Sequence, residues 1–305
     1  MLTGTEREKA GRLYLILRES GINFIGSVIG LGVNYLFLIV LTRILSPGEY
    51  GTFVISQSVI WIALMGVLLG TPRALDRFIP IYNAKGEHGK TKTLIYGVLK
   101  MALILSFVVG VIIVVASGFL AHSLFKNPSL ATLLKVMVLS MPLLAFIQIV
   151  SFAFTGFKEL RYKVFIQQLA LPSLKLICAI LLFILGYGLL GWAWAYNFSI
   201  LGVFLFALWF FRKRIVSLLS RVRKMPISFK EIASYSWPLS IYHVIIVLFG
   251  QIGILFLGHF RASREVGSYR IYIYLVMLLS LVLSSFAQIY KPVISELISM
   301  GEIGE

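Results

Sequence analysis

Residues 93–117 read TLIYGVLKMALILSFVVGVIIVVAS and contain a single charged residue, Lys100. A helix needs about 20 consecutive apolar residues to cross the hydrocarbon layer of a bilayer, and this segment is longer than that. Helix is the expected conformation, because an open strand would leave backbone groups without hydrogen-bond partners in lipid. The segment therefore predicts a transmembrane helix.

Similar apolar segments recur along the whole chain. Apolar residues make up 59% of the 305 residues and charged residues only 13%, with a mean hydropathy of +0.94, whereas soluble domains are about 25% charged. The predicted spans are Ile22–Leu45, Tyr50–Gly70, Thr93–Ser117, Leu130–Thr155, Val164–Gly186, Leu189–Phe211, Trp237–Leu257 and Tyr269–Tyr290. The sequence thus predicts an all-α integral membrane protein with about eight transmembrane helices.

Positive charge is concentrated in alternate loops. The chain has 28 Lys and Arg residues against 12 Asp and Glu, and most of the cations fall in the N-terminal segment, the second, fourth and sixth predicted loops, and the tail. Because Lys and Arg are retained in cytoplasmic loops, we expect both termini to be cytoplasmic and the protein to lie in the cell membrane. A net charge of +16 distributed in this way favours membrane lipids, and not nucleic acid, as the partner.

Patterns typical of metal, cofactor or catalytic sites do not occur in the sequence. The single cysteine, Cys178, lies in an apolar span, and the four histidines lack metal-ligand spacing. No Ser, His and acid combination shares a helical face, and no Gly-rich phosphate loop follows a strand. The sequence predicts a protein that uses no cofactor or metal and is not an enzyme; a membrane-embedded polymerase with a site inside the bundle is a rival interpretation.

A short repeat indicates internal duplication. LIVLTRILSPGEYG at Leu38–Gly51 aligns without gaps on ILFLGHFRASREVG at Ile254–Gly267, and both copies end in glycine. Transporter halves often arise by duplication. Six predicted helices separate the copies, so the two halves would have the same orientation in the membrane.

The repeat suggests where the halves begin. We expect a cytoplasmic segment at 1–19, a six-helix N-terminal lobe at 20–211, a basic cytoplasmic linker at 212–231, and the start of a C-terminal lobe at 232–305. A second lobe should contain six helices, and this stretch provides two. The expectation is therefore a fragment, or a gene interrupted after the eighth helix.

Lys175 is the most informative charge, since it lies near the middle of the fifth predicted span. A charge there costs at least about 2.5–3.5 kcal/mol on insertion scales. Pro172 is expected to kink the helix, and helical spacing places Gln168 on the same stripe. This pattern predicts a hydrated, anion-attracting cavity; the alternative is a lysine that pairs with a neighbouring carbonyl for helix packing.

Other polar positions within the spans have two interpretations. Asn34, in a small and polar stripe of the first span, and Gln57, in the second, are typical of helix contact surfaces and alternatively line a cavity. Arg270 lies within the outer end of its span, with Tyr274 and Gln288 near its helical face. Anchoring at the membrane interface is the simpler explanation for Arg270.

Several cations lie near the ends of spans. Arg43, Arg73 and Arg77 fall just outside the predicted hydrocarbon region, where charged residues usually fix the position of a helix in the bilayer. Lys100 and Lys135 lie within their spans but close enough to an end for their side chains to snorkel to the interface.

None of the 12 acidic residues falls inside a predicted span. A pump for cationic compounds normally buries a carboxylate that binds the coupling ion. Because the charge embedded in the membrane is wholly positive, the sequence predicts an anionic substrate. A multidrug antiporter is the less favoured alternative.

Five stretches carry a family resemblance. They are LTRILSPGEYG at 41–51, PRALDRFIPIY at 72–82, GFKELRYKVFIQQLALPSLK at 156–175, QIGILFLGHF at 251–260 and VGSYRIY at 266–272. In this order, over roughly residues 20–297, the chain resembles the polysaccharide transporters of the O-antigen flippase type. These belong with the lipid II flippases and the multidrug extrusion (MATE) proteins to the MOP superfamily.

The resemblance implies a MATE-like fold of two six-helix lobes around a central cavity, which alternating access opens to each side in turn. It also implies a lipid-linked anionic oligosaccharide as substrate and other polysaccharide assembly proteins as candidate partners. On the family pattern cationic side chains hold the pyrophosphate, and the candidates are Arg43, Arg73, Arg77, Lys175 and Arg270. A chain that stops after eight helices departs from this pattern, so a non-transporting truncated relic is a further alternative.

Overall fold

The computed structural model describes residues 4–184, 188–220 and 222–276. Its helices are α1 (Gly4–Ile44), α2 (Pro47–Leu68), α3 (Thr71–Ala84), α4 (His88–Phe119), α5 (Ser129–Met137), α6 (Met141–Gly156), α7 (Leu160–Val164), α8 (Leu171–Ile184), α9 (Leu189–Phe210), α10 (Ser217–Leu219) and α11 (Phe229–Phe260). π-helical or 3-10 turns occupy Leu120–Leu124, Val138–Ser140, Phe165–Ala170 and Phe211–Val216. Residues 263–276 are helical as well. Because every regular element in the described residues is a helix, the predicted all-α class is confirmed.

Seven helical segments are long and apolar enough to cross a membrane, and they match the first seven predicted spans. They are Asn23–Ile44, Pro47–Leu68, His88–Leu124, Ser129–Gly156, Leu160–Leu181, Leu189–Leu219 and Lys230–Phe260. The eighth predicted span, Tyr269–Tyr290, is helical to residue 276, and its remainder, including Gln288, lies outside the described residues. The protein is a multi-pass membrane protein.

The start of α2 explains part of the LTRILSPGEYG motif. The Ser46 hydroxyl accepts a hydrogen bond from the Glu49 backbone N–H (3.3 Å), and a Glu49 carboxylate oxygen accepts one from the Ser46 backbone N–H (3.0 Å). This capping box satisfies two N–H groups that a helix start leaves without partners. Pro47 occupies the first helical turn, where its fixed φ suits the helix and its missing N–H has no cost.

The sequence did not predict α3. This helix occupies the second predicted loop, and it packs against α4 and α6 through Leu75, Ile79 and Tyr82, which are all buried. Gly70, just before α3, adopts a left-handed φ of +67° and touches the backbone of α11 at Ser236 and Ser240. The short amphipathic helix therefore holds α11 against the rest of the bundle.

A π-helical turn and a proline shape the crossing of α1 with α8. The π-turn covers Phe165–Ala170 and leads directly into Pro172, which cannot donate the usual helical hydrogen bond to the Gln168 carbonyl. That carbonyl lies against Gly30 of α1, and a Cβ on Gly30 would overlap it. The small stripe of the first span is thus a helix contact surface, as one of its two interpretations predicted.

The two copies of the sequence repeat touch each other. A Cβ on Gly51 would overlap the carbonyl oxygen of Ser263, and a Cβ on Gly267 would lie 2.5 Å from the carbonyl oxygen of Pro47. Pro47 aligns with Ser263 in the repeat, and Gly51 aligns with Gly267. Reciprocal contacts between equivalent positions are the pattern that a local two-fold axis produces.

Alanine at Gly51 should destabilise the protein, because its Cβ would collide with backbone atoms that cannot rotate away. The expected cost is about 1–3 kcal/mol, typical of overpacking, observed as a lower thermal unfolding midpoint in detergent. Gly48→Ala is the matched control, since a Cβ there meets nothing within 4 Å. Equal midpoints for the two variants would contradict the close contact with Ser263.

Alanine at Gly30 should separate α1 from α8. We expect Gly30→Ala to lower the thermal midpoint by a similar amount, because the new Cβ would displace the Gln168 carbonyl. Gly32→Ala, two residues further along α1 with open space around its Cβ, should unfold as the wild type does. A Gly30→Ala protein as stable as Gly32→Ala would show that the crossing tolerates a wider spacing.

Candidate anion-binding site

Lys175 of α8 lies among aromatic side chains from three other helices. Its Nζ is 5.4 Å from the centroid of the Tyr196 ring in α9, and Phe37, Phe53 and Trp192 line the same small cavity. An ammonium group over an aromatic face gains cation–π energy. These rings carry no formal negative charge, so Lys175 is stabilised without being neutralised.

The Tyr196 ring is positioned through its hydroxyl group. Gln57 of α2 and Ser140 both hydrogen-bond to that hydroxyl, and Phe53 packs edge-on against the ring with centroids 6.0 Å apart. A buried tyrosine hydroxyl usually requires such partners. Gln57 thereby supports the aromatic surface that faces Lys175.

Arg270 lies in the helix at 263–276, three residues after the second copy of the repeat. It is close enough to Lys175 for electrostatic repulsion between the two cations. Its guanidinium lies 5.1 Å from the centroid of the Tyr274 ring, and both Arg270 and Tyr274 interact electrostatically with Tyr50 of α2. Each of the two neighbouring cations therefore has aromatic side chains beside it.

Neither of these cations forms an ion pair with Asp or Glu in the described part of the chain. A cation without a counter-charge inside a bundle is unfavourable, and a second cation nearby increases that cost. An anion between Lys175 and Arg270 would supply the missing counter-charge and would replace the repulsion between the two cations by attraction of both to the anion, because ionised donors bind anionic oxygen strongly. The arrangement can bind an anionic group.

A second polar cluster connects α3, α6, α7 and α11. Arg73 Nε donates a hydrogen bond to His243 Nε2 (3.2 Å), and both residues line a cavity of about 170 Å³ together with Gln148 and Phe152. Phe152 also lies under the Lys163 ammonium, 4.4 Å from its ring centroid. Arg73 thus joins the second predicted loop to the first helix of the expected C-terminal lobe.

Asp76 is the acidic member of this cluster. Its Oδ2 lies 3.5 Å from Arg73 Nη1, while its Oδ1 is buried and has no hydrogen-bond partner. Burial raises the pKa of the Asp76 carboxyl, and the charges of Lys163 and Arg73 only partly oppose that shift. The sequence placed Asp76 in a loop, and the folding of α3 is what buries it.

Gln168 contacts the first span. Its Nε2 donates a hydrogen bond to Asn23 Oδ1 of α1 (3.1 Å), and the residue lies within the π-turn at Phe165–Ala170. Lys175 shares its cavity with Phe37 of the same helix α1, and the common stripe of Gln168 and Lys175 stays a prediction. Asn34 also contributes to helix structure, since its Nδ2 donates to the Gly30 carbonyl of its own helix (2.8 Å).

The remaining predicted cations lie apart from Lys175. Arg43 is exposed in the last turn of α1, where a cation interacts favourably with the helix dipole. Arg77 stacks on Tyr235 of α11, with its guanidinium carbon 4.2 Å from the ring centroid. Their roles as substrate ligands stay predictions.

Sequence reasoning missed Tyr196, Lys163, His243 and Asp76 as neighbours of the candidate cations. Tyr196 is one of many aromatic residues in the apolar spans, and Lys163 is one of many loop cations. A usable signal existed for Asp76, because buried Leu75, Ile79 and Tyr82 follow the helical spacing of an amphipathic helix.

Comparison with solved structures identifies the fold. An inward-facing multidrug resistance MATE family transporter of the MOP superfamily matches with a TM-score of 0.64 and 17% identity, over 84% of this chain and 61% of the other. An outward-facing transporter of the same description matches with a TM-score of 0.60 and 18% identity, over 78% of this chain and 54% of the other.

A third match is a MOP superfamily transporter from Pyrococcus furiosus whose reversed binding-pocket polarity suggests a different function. Its TM-score is 0.58 at 20% identity, over 80% of this chain and 54% of that one. The chain thus spans between 54% and 61% of the length of these transporters. At such identities the likeness establishes the MATE-like fold.

Sequence comparison identifies the family. No curated protein matches the chain significantly, but the sequence profile of a family described as polysaccharide biosynthesis protein matches residues 16–298. That match covers most of the chain, including both copies of the repeat and both candidate cations. The chain therefore belongs to the polysaccharide biosynthesis protein family and has the MATE-like fold of the MOP superfamily.

Proposed function

We propose that this protein moves an anionic lipid-linked saccharide across the cytoplasmic membrane without changing it covalently. The observation that carries the proposal is the pair formed by Lys175 and Arg270, two neighbouring cations without an acidic partner among the described residues. Membership of the polysaccharide biosynthesis protein family supports a saccharide as cargo.

Moving a lipid-linked anionic saccharide across the membrane places specific demands on the binding site. The lipid tail of such a substrate can stay in the bilayer, while the charged and sugar-bearing head needs a polar path. Each uncompensated intramembrane cation costs at least about 2.5 kcal/mol, and a phosphate or diphosphate between Lys175 and Arg270 would compensate both cations. Binding the head therefore stabilises the transporter in the same region where the head needs a counter-charge.

Alternating access gives the pair a way to release its ligand. Lys175 lies in the expected N-terminal lobe at 20–211, and Arg270 in the expected C-terminal lobe at 232–305. If the lobes rock about the contact between Gly51 and Gly267, the distance between the cations changes, and with it the affinity for an anion. Transport by this route requires both lobes.

Export of cationic compounds is the second candidate function. The buried Asp76 carboxylate favours it, since an embedded acid can bind a proton or a cation. Arg73 and Lys163 lie beside Asp76 and leave that cluster with more positive than negative charge. The anionic saccharide is therefore the better supported substrate.

Replacing Lys175 by alanine should reduce export of surface glycan in cells that depend on the full-length protein, at unchanged protein level. Removing one member of a buried charge contact typically costs about 2–5 kcal/mol, so at least about a tenfold loss is expected. Lys175→Arg should keep most of the export because it keeps the charge. Lys135→Ala, which removes an exposed lysine of α5, is the matched control and should export normally.

Two results would count against the proposal. Normal glycan export by Lys175→Ala would remove the lysine from the mechanism. Resistance to cationic dyes that depends on Asp76, together with export that does not depend on Lys175, would favour the second candidate function.

A further inference from the structure

A groove of about 600 Å³ lies on the side of the bundle, between α4 and the first turns of α11. Its walls are mainly apolar and include Leu94, Val98, Met101, Ile104 and Trp237. Ile104 is 54% exposed and Trp237 is 62% exposed, so the groove opens sideways, toward the position of the bilayer. Its volume falls within the range of small-molecule sites, about 300–1,000 Å³.

The groove contains one cation and one unsatisfied hydroxyl group. Lys100 lines it, is exposed, and has no hydrogen bond or ion pair to any described residue. Ser236 also lines it; this residue is only 4% exposed, yet its Oγ has no hydrogen-bond partner. The Ser236 hydroxyl is closed off from the groove, whereas the Lys100 ammonium is accessible, so Lys100 is the residue that can bind an anionic group at this place.

Basic residues surround the cytoplasmic mouth of the groove. The linker after α10 is fixed to the start of α4 because Lys92 Nζ donates to the carbonyls of Leu219 and Val222, each at 2.9 Å. This places Lys224 beside α4, with its Nζ 5.5 Å from the centroid of the Tyr96 ring. Lys230 is exposed in the first turn of α11, on the other side of the mouth.

The acid nearest in sequence to this mouth does not neutralise it. Glu231 follows Lys230 in α11, but it interacts electrostatically with Tyr82 and Lys90. Lys100 lies eight residues beyond Lys92 along α4, which is roughly 12 Å at 1.5 Å per residue. Positive charge therefore extends from the linker into the apolar part of the groove.

We propose that this groove binds one anionic phospholipid of the cytoplasmic leaflet. An acyl chain lies along Leu94, Met101 and Ile104, while the phosphate is held between Lys224 at the mouth and the snorkelling ammonium of Lys100. The site is separate from the Lys175 region and does not depend on what the protein transports.

The apolar walls and the positive charge of the groove together favour an anionic phospholipid over other occupants. Free phosphate would leave the apolar walls uncovered, and a zwitterionic lipid would bring a cation near Lys100 and Lys224. An apolar helix in the groove would leave the Lys100 ammonium without a partner in lipid, which is unfavourable by at least about 2.5 kcal/mol.

Brominated lipids provide the test, because Trp237 lines the groove and bromine on an acyl chain quenches nearby tryptophan. The full chain is reconstituted in phosphatidylcholine vesicles that contain increasing fractions of chain-brominated phosphatidylglycerol or chain-brominated phosphatidylcholine. The Trp237 signal is obtained by subtracting that of Trp237→Phe. We expect half-quenching at a clearly lower fraction of phosphatidylglycerol than of phosphatidylcholine.

Substitutions in the groove show which residues produce the preference for phosphatidylglycerol over phosphatidylcholine. Lys100→Gln should weaken the apparent affinity for phosphatidylglycerol by about fivefold, the usual effect of one basic residue near anionic lipid. Lys135→Gln, a lysine of similar exposure outside the groove, should keep the wild-type preference. Gly97→Leu, which adds a side chain to the groove wall, should reduce quenching by both lipids.

Several outcomes would overturn the proposal. Equal quenching of the wild-type protein by the two lipids would show that the groove does not select anionic lipid. An unchanged preference in Lys100→Gln would place the selecting charge elsewhere. If Lys100→Gln fails to fold, unchanged quenching of Gly97→Leu would equally refute a lipid chain in this groove.

Discussion

The rest of this structure depends on one electrostatic constraint: a charged side chain packed into the helical bundle is stabilised by an opposite charge, an aromatic face or a ligand. Arg73 meets it with the Asp76 carboxylate and a histidine ring, and Arg77 meets it by stacking on Tyr235. Among the described residues, Lys175 has aromatic rings and a second cation near it and no acidic partner. In the proposed function an anion supplies the missing counter-charge, and this is why Lys175 is its centre.

The same constraint explains which parts of the fold could be predicted from sequence. Runs of about 20 apolar residues require a spanning helix in lipid, so the sixth span, predicted as Leu189–Phe211, ends within one residue of α9. The first seven spans are all found for this reason. The helix α3 could not be predicted in this way, because it has only 14 residues and is amphipathic, so its signal is the spacing of Leu75, Ile79 and Tyr82 and not a long apolar run.

The candidate site was only partly predictable, for a different physical reason. The position of Lys175 in a long apolar run is enough to mark it, because no surface lies within reach. Its relation to Gln168 was predicted from regular helical spacing, and the π-turn at Phe165–Ala170, which contains Gln168, could not be predicted from that spacing. The approach of Arg270 depends on the contact between the two repeat copies at Gly51, which the aligned sequences suggest and only the fold brings together.

Binding of an anionic head between Lys175 and Arg270 is the central claim, and a double-mutant cycle tests it most directly. The affinity of the purified full-length protein for a prenyl diphosphate would be measured for the wild type, Lys175→Ala, Arg270→Ala and the double variant. If both cations contact one ligand group, each single substitution weakens binding and the two effects are coupled by about 0.5–3 kcal/mol. Two independent, additive effects, or wild-type affinity in both single variants, would contradict a shared anion site.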